Sequence, residues 1–242
     1  MPALILPPLE RSALLLDLDG TLIDFAPTPD AVVVPPGLVP ALRTLRDRLG
    51  GALAVVSGRT VAEVDRLLED APRAVAGEHG VGIRHAPDAL IERANLPPPP
   101  DAWLREAEAL IAAWPGALME RKARGFTMHF RMNPPAGPIF HALLVRLLAD
   151  QSAFQLLEGN MVWEVRPVGA DKGHAVAALM ARAPFAGRVP IFIGDDVTDE
   201  DGMRVARAMG GVGLRVDAAF GSAAGVRSWI AKAAEAGVWP EE

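Results

Sequence analysis

Three short apolar runs, each broken off by polar residues, constrain this chain more than any other feature. They are residues 13–17 (ALLLD), 52–56 (ALAVV, then Ser57-Gly58-Arg59) and 190–194 (PIFIG, then Asp195-Asp196). None alternates apolar with polar, and for the helix-friendly Leu14-Leu15-Leu16 periodicity alone does not decide between strand and helix. A strand can be apolar at every position only if both faces of its sheet are covered, which is the situation of a parallel sheet packed between helices. Between the runs lie stretches with apolar residues at helical spacing. The clearest is 38–49, with Leu38, Ala41, Leu42, Leu45 and Leu49 on one face and Gly50 as a stop. Further helices are expected from Val61 to Leu68, over 173–183, 200–209 and 227–236, with short strands at 74–76 and 211–216. Strands alternating with helices give an α/β fold with a Rossmann-like parallel sheet.

The middle of the chain reads differently. Four prolines at 97–100 end any helix or central strand, and Asp101 then stands where a helix cap would. The pattern helix (102–113), strand (125–131), helix (139–150), strand (161–166) describes a smaller α+β insert. The expected organisation is a core of residues 1–87 and 166–242 with an inserted domain at 88–165. A length of 242 suits it, at about 150 residues per domain.

Composition excludes several functions. Lys and Arg number 24 against 30 Asp and Glu, a net charge of −6, so no nucleic-acid or membrane-surface partner is expected. There is no cysteine, hence no disulfide framework, thiol nucleophile or thiolate metal site. The first residues lack a basic n-region and break at Pro7-Pro8, a poor signal peptide, and a soluble cytoplasmic protein is expected. Periodicity leaves the oligomeric state open.

Chemistry gathers where the apolar runs end. Asp17 and Asp19 are two apart on an extended chain and share a side. Two carboxylates at the end of a buried strand repel each other and call for compensation, which a hard cation with oxygen ligands supplies. Gly20-Thr21 lets the backbone turn and offer N–H groups to an anion. Gly194-Asp195-Asp196 adds acids after another strand. Asp199 and Asp201 are read as helix-capping acids, and the stretch fails the EF-hand spacing. The Ser57-Gly58 turn presents a hydroxyl and a backbone N–H suited to a phosphate, or caps the next helix. Lys172, in GADKGH, is a point charge at a helix mouth.

The ordered set DxDGT, SG, K, GDD resembles that of the haloacid dehalogenase-like phosphatases, over residues 13 to about 210. The resemblance implies that Asp17 is the nucleophile and forms an aspartyl-phosphate, and that Asp19 is the acid–base. It implies Mg2+ held by Asp17, the Asp19 carbonyl and Asp195, with Asp196 behind them. Lys172, Ser57, Gly58, Thr21 and the Gly20 N–H would hold the phosphoryl oxygens. Arg59, next to the turn, is a further possible phosphate contact. The insert lies where this class carries its larger cap, which closes over the core. Its pieces Glu120-Arg121-Lys122, His129-Phe130-Arg131 and 162–167 (VWEVRP), with Gly77-Glu78-His79-Gly80 and GDDVTDED, are similar to those of trehalose-6-phosphate phosphatases. The similarity implies a small-molecule sugar phosphate substrate met by Glu120, Lys122, His129, Arg131 and Glu164. Leu18 and Phe130 stand where that family often has aromatic and Tyr residues. Phosphatases of sucrose phosphate or mannosyl-3-phosphoglycerate, a sugar-phosphate sensor and a phosphomutase remain alternatives.

Overall fold

The computed structural model describes residues 6–28 and 31–240. In chain order the elements are β1 (Ser12–Leu16), α1 (Leu38–Arg48), β2 (Leu53–Val56), α2 (Val61–Leu68), β3 (Ala74–Gly77), β4 (Gly82–Arg84) and β5 (Glu92–Arg93). They continue with α3 (Asp101–Ile111), β6 (Leu118–Arg121), β7 (Phe126–His129), α4 (Gly137–Leu148), β8 (Phe154–Gly159) and β9 (Val162–Pro167). The chain closes with α5 (Lys172–Met180), β10 (Val189–Gly194), α6 (Asp199–Ala208), β11 (Val212–Arg215), α7 (Val216–Ala219) and α8 (Ala223–Ala236). Two compact units result. The larger comprises the described residues of Met1–Ala26, Val32–Arg93 and Asp171–Glu242, and the smaller those of Pro27–Ala31 and Ala94–Ala170.

In the larger unit seven strands lie in the order β11-β10-β1-β2-β3-β4-β5. From β11 to β3 all neighbours are parallel, and β4 and β5 add an antiparallel edge. The expected parallel sheet is therefore present, with an edge hairpin that short, partly polar strands did not announce. Side chains alternate across the pleat. Leu14, Leu16, Leu53 and Val55 pack with Leu42, Leu45, Val64 and Ile230 from α1, α2 and α8. Ala13, Leu15, Ala54 and Val56 pack on the other face with Val176, Leu179 and Met203 from α5 and α6. Two cores, one per face, are why β2, and β1 after Ser12, are apolar at every position. Chain order reverses at β1, which has β2 on one side and β10 on the other. The carboxyl ends of strands at such a reversal form a natural crevice for ligands.

The smaller unit is an antiparallel sheet in the order β6-β7-β9-β8 with α3 and α4. It holds two strands more than the sequence pattern suggested. β6 and β8 are edge strands whose mixed polarity hides their period. Asp101 is also corrected: it is the first residue of α3, and the N-cap position is held by Pro100, which makes no side-chain cap hydrogen bond. One sheet face carries Phe126, Met128, Val165 and Phe154 into a core with Trp103, Phe140 and Leu144. The opposite face is polar, because register sets Glu120, Thr127 and Glu164 in a row across three strands. Among the described residues no helix is long and apolar enough to cross a membrane.

Candidate active site

β1 delivers Asp17 at its carboxyl end, and α5 begins at Lys172, capped by the Asp171 side chain on the His174 N–H (2.7 Å). Lys172 Nζ donates to Asp17 Oδ1 and to Asp199 Oδ1, both at 2.6 Å, and all three residues are buried. Asp17, Asp195 and Asp199 can bring carboxylate oxygens within 4.8 Å of one another. Thr21 Oγ1 lies 3.4 Å from Asp17 Oδ2 and 3.3 Å from Asp195 Oδ1, so one hydroxyl spans both acids.

Three acids around one ammonium leave an excess of negative charge, and the acid–base equilibria follow it. Burial, then the Asp199 charge, holds the Asp17 carboxyl well above the ordinary carboxylate value despite Lys172. Burial and the charges of Asp199 and Asp196 push Asp195 up to about 6. Burial alone would lower Lys172, but Asp17, Asp199 and Asp196 more than offset it, so the ammonium is held above its usual range. Asp196 is also raised by burial, but Lys172 and the Thr198 hydrogen bonds outweigh this and keep it low. A cluster in this condition has a place for a cation.

Asp199 changes the sequence-based picture. It is not an exposed capping acid: its Oδ1 accepts from Lys172, and its Oδ2 accepts from the N–H groups of Asp195 (3.0 Å) and Asp196 (3.1 Å). Both oxygens are engaged, so Asp199 ties the lysine to the turn after β10, beside Asp17 and Asp195. Its spacing four residues after Asp195, behind a buried strand, was the available signal; the capping reading of TDED obscured it.

Gly20 sits at φ 79°, and a Cβ there would fall 2.2 Å from Asp195 Oδ2, so only glycine allows the approach. Its N–H donates to the Ile23 carbonyl at 2.8 Å, which corrects the expectation that it faces an anion: here it closes the turn. Ser57 is buried after β2, its hydroxyl accepting from the Arg59 N–H (3.1 Å), and Gly58 follows in the same turn. Arg59 pairs with Asp19.

In the smaller unit, Lys122 Nζ donates to Glu164 Oε1 at 3.0 Å, and His129 Nε2 lies 3.0 Å from Glu120 Oε2. Burial raises the Glu120 carboxyl, but the His129 hydrogen bond and the Lys122 charge outweigh it and hold it low. Four of the five expected sugar contacts thus form two polar pairs on one face. Arg131 lies past β7, with its guanidinium on the Asn160 carbonyl (3.1 Å). Thr127, which the sequence did not single out, stands between the two glutamates, buried and, among the described residues, with no hydrogen-bond partner for its hydroxyl.

A parallel sheet with acids after β1 and β10, a serine turn after β2 and a buried lysine opening α5 has the fold of the haloacid dehalogenase-like class. The family model described as trehalose-phosphatase matches residues 15–232. The chain belongs to that family. A probable trehalose-phosphate phosphatase of Sinorhizobium fredii is 41% identical over 209 residues, 86% of this chain and 78% of the relative. The trehalose-6-phosphate phosphatase of Escherichia coli is 36% identical over 228 residues, 90% and 81% of the two chains. The crystal structure of a trehalose-6-phosphate phosphatase related protein superposes with a TM-score of 0.69 at 20% identity, covering 93% of this chain and 98% of the other.

Proposed function

We propose that this protein releases phosphate from trehalose 6-phosphate, with the larger unit as catalytic core and the smaller as cap. The observation that carries the reading is the buried Asp17, held by Lys172 at 2.6 Å beside Asp195 at the reversal point of the sheet. A carboxylate there is positioned to attack phosphorus, with a fixed cation to meet the phosphate charge. Phosphoryl transfer depends mainly on such positioning and charge neutralisation.

Asp17 attacks phosphorus, the bond to the sugar oxygen breaks, and Asp19 gives that oxygen a proton. Water then attacks the phosphorus of the aspartyl-phosphate; Asp19 takes its proton, and the bond to Asp17 breaks. Lys172 favours the anionic form of Asp17 against burial and the Asp199 charge and stabilises the transferring oxygens, and the Ser57-Gly58 turn and Thr21 add donors. The oxygens of Asp17 and Asp195, with the Asp19 carbonyl, fit Mg2+, which takes one or two carboxylates plus phosphate. When bound, it would neutralise phosphoryl charge beside these acids. On the cap, Glu120, His129, Lys122 and Glu164 offer the alternating acceptors and donors that sugar hydroxyls require. The substrate named for the curated relatives supports the choice of sugar.

The test is phosphate release, with excess Mg2+, from trehalose 6-phosphate, sucrose 6-phosphate, glucose 6-phosphate and mannosyl-3-phosphoglycerate. Preference for the first, lost in a folded Asp17→Asn variant, is expected. Preference for another member would overturn the sugar assignment, and full activity of Asp17→Asn would overturn the mechanism.

A further inference from the structure

Asp19, the acid–base group of that reading, has both carboxylate oxygens gripped by one side chain. Arg59 Nε donates to Oδ2 and a terminal nitrogen to Oδ1, each at 2.7 Å. Two parallel N–H donors fix a carboxylate's plane as well as its position, which a point charge cannot do. A carboxylate has about four lone-pair sites, so each gripped oxygen keeps one for a proton. The Arg59 side chain is 10% exposed and that of Asp19 27% exposed, so the pair lies in a shielded place.

Arg59 is itself held from behind. Its N–H donates to Ser57 Oγ (3.1 Å), its carbonyl accepts from the Glu78 N–H (2.8 Å), and the Ser57 carbonyl accepts from the His79 N–H (2.9 Å). Thr60 then locks into a capping box with Glu63. The contact with β3 is so close that a Cβ on Gly77 would fall 2.9 Å from the Arg59 carbonyl oxygen and 2.7 Å from the Val61 nitrogen. Glu78 and His79 take left-handed φ values of 51° and 56° at this corner. Two consecutive non-glycine residues in that region are uncommon, and such strain persists only where the surroundings over-determine it. Here it seats the end of β3 against the base of Arg59.

We propose that Arg59 is a positioning residue: it clamps Asp19 in one orientation so that proton transfer starts from a fixed place, and it acts through Asp19 rather than on the phosphate. The inference rests on the phosphatase reading of Asp19. Without the clamp, Asp19 samples several staggered side-chain orientations. A displacement of about 1 Å in such a group costs on the order of 100-fold in rate.

The test compares wild type, Arg59→Met, Arg59→Lys, Asp19→Asn and the Arg59→Met/Asp19→Asn double variant on two substrates. Trehalose 6-phosphate has a leaving group that needs a proton; p-nitrophenyl phosphate has one that departs without it. kcat/KM reports the steps through departure of the leaving group. Melting temperatures establish that each variant is folded. The expected result is a fall of about 100-fold in kcat/KM for trehalose 6-phosphate in Arg59→Met. Arg59→Lys restores little of it, because a lysine lacks the fork. p-Nitrophenyl phosphate and the inhibition constant of inorganic phosphate change less than about threefold, and Arg59→Met adds nothing in the Asp19→Asn background. Equal losses on both substrates with weaker phosphate inhibition would overturn the clamp in favour of direct phosphate binding. Unchanged kinetics with a lower melting temperature would reduce Arg59 to a structural role. A wild type inactive on both substrates would overturn the phosphatase reading and the clamp with it; one active on p-nitrophenyl phosphate alone would overturn only the choice of sugar.

Discussion

Replacing Asp195 by Asn should make the metal-free protein more stable at neutral pH while ending its activity. The carboxyl is pushed from its ordinary 3.8 up to about 6 by burial and by Asp199 and Asp196. A carboxyl raised by folding favours the native state most below pH 3.8, and that advantage is lost as pH rises through about 6. A shift of about two units, at about 1.36 kcal/mol each, amounts to about 3 kcal/mol against the ionised native state. Asp195 is only partly buried, and solvent screening reduces this to about 1–2 kcal/mol. The Asn variant escapes the penalty and keeps an Oδ1 for the Thr21 hydroxyl. For a chain of this size the gain corresponds to about 2–8 °C in Tm. The assay is thermal unfolding of both proteins in chelator, from about pH 4 to about pH 7.5, and again with excess Mg2+. The variant should melt higher in chelator at about pH 7.5, and the gap should close toward about pH 4. Mg2+ at 100 times its Kd should add about 2.7 kcal/mol to the wild type and little to the variant, reversing the order. A variant that melts at or below the wild type in chelator at neutral pH, or a gap indifferent to pH, would refute the charge-excess reasoning.

Lys122→Met removes the ammonium 3.0 Å from Glu164 Oε1, in a pair whose side chains are 6% and 13% exposed. It should lower stability by about 3 kcal/mol in denaturant titrations, and raise KM for trehalose 6-phosphate at least about tenfold while p-nitrophenyl phosphate turnover holds. Gly20→Ala puts a Cβ 2.2 Å from Asp195 Oδ2 at φ 79°. Phosphate release should fall about 100-fold or more, and the Mg2+-induced rise in Tm should shrink with it.

The larger unit was legible because its strands are buried on both faces. Leu14, Leu15 and Leu16 are each fully covered, so the apolar run is the direct imprint of two cores. The edge pieces were not legible. β5 is only Glu92–Arg93, both exposed, and is a strand because β4 offers a partner, which is a tertiary fact. β6 carries Leu118, Met119, Glu120 and Arg121 with none buried, so no hydrophobic period survives. In the site, Asp17, Lys172 and Asp195 announced themselves by following buried strands or opening a helix. Asp199 was masked because an acid in a helix's first turn has an ordinary explanation, and only its burial sets it apart. The Arg59–Asp19 pair spans forty positions of sequence, and no local pattern encodes it. Thr127 carries no charge and differs from any strand threonine only in what its register places beside it.

That register has an evolutionary consequence. On β7, Phe126 and Met128 belong to the core, and the intervening Thr127 and the following His129 belong to the polar face. If this face meets the sugar as proposed, selection for a folded domain acts on one set of codons, and selection for recognition acts on the interleaved set. On the proposed reading of the cap, a lineage can rewrite Glu120, Thr127, His129 and Glu164 toward a different polyol without reopening the aromatic packing beneath them. Duplicated copies of such a gene are thus free to diverge in diet before they diverge in architecture.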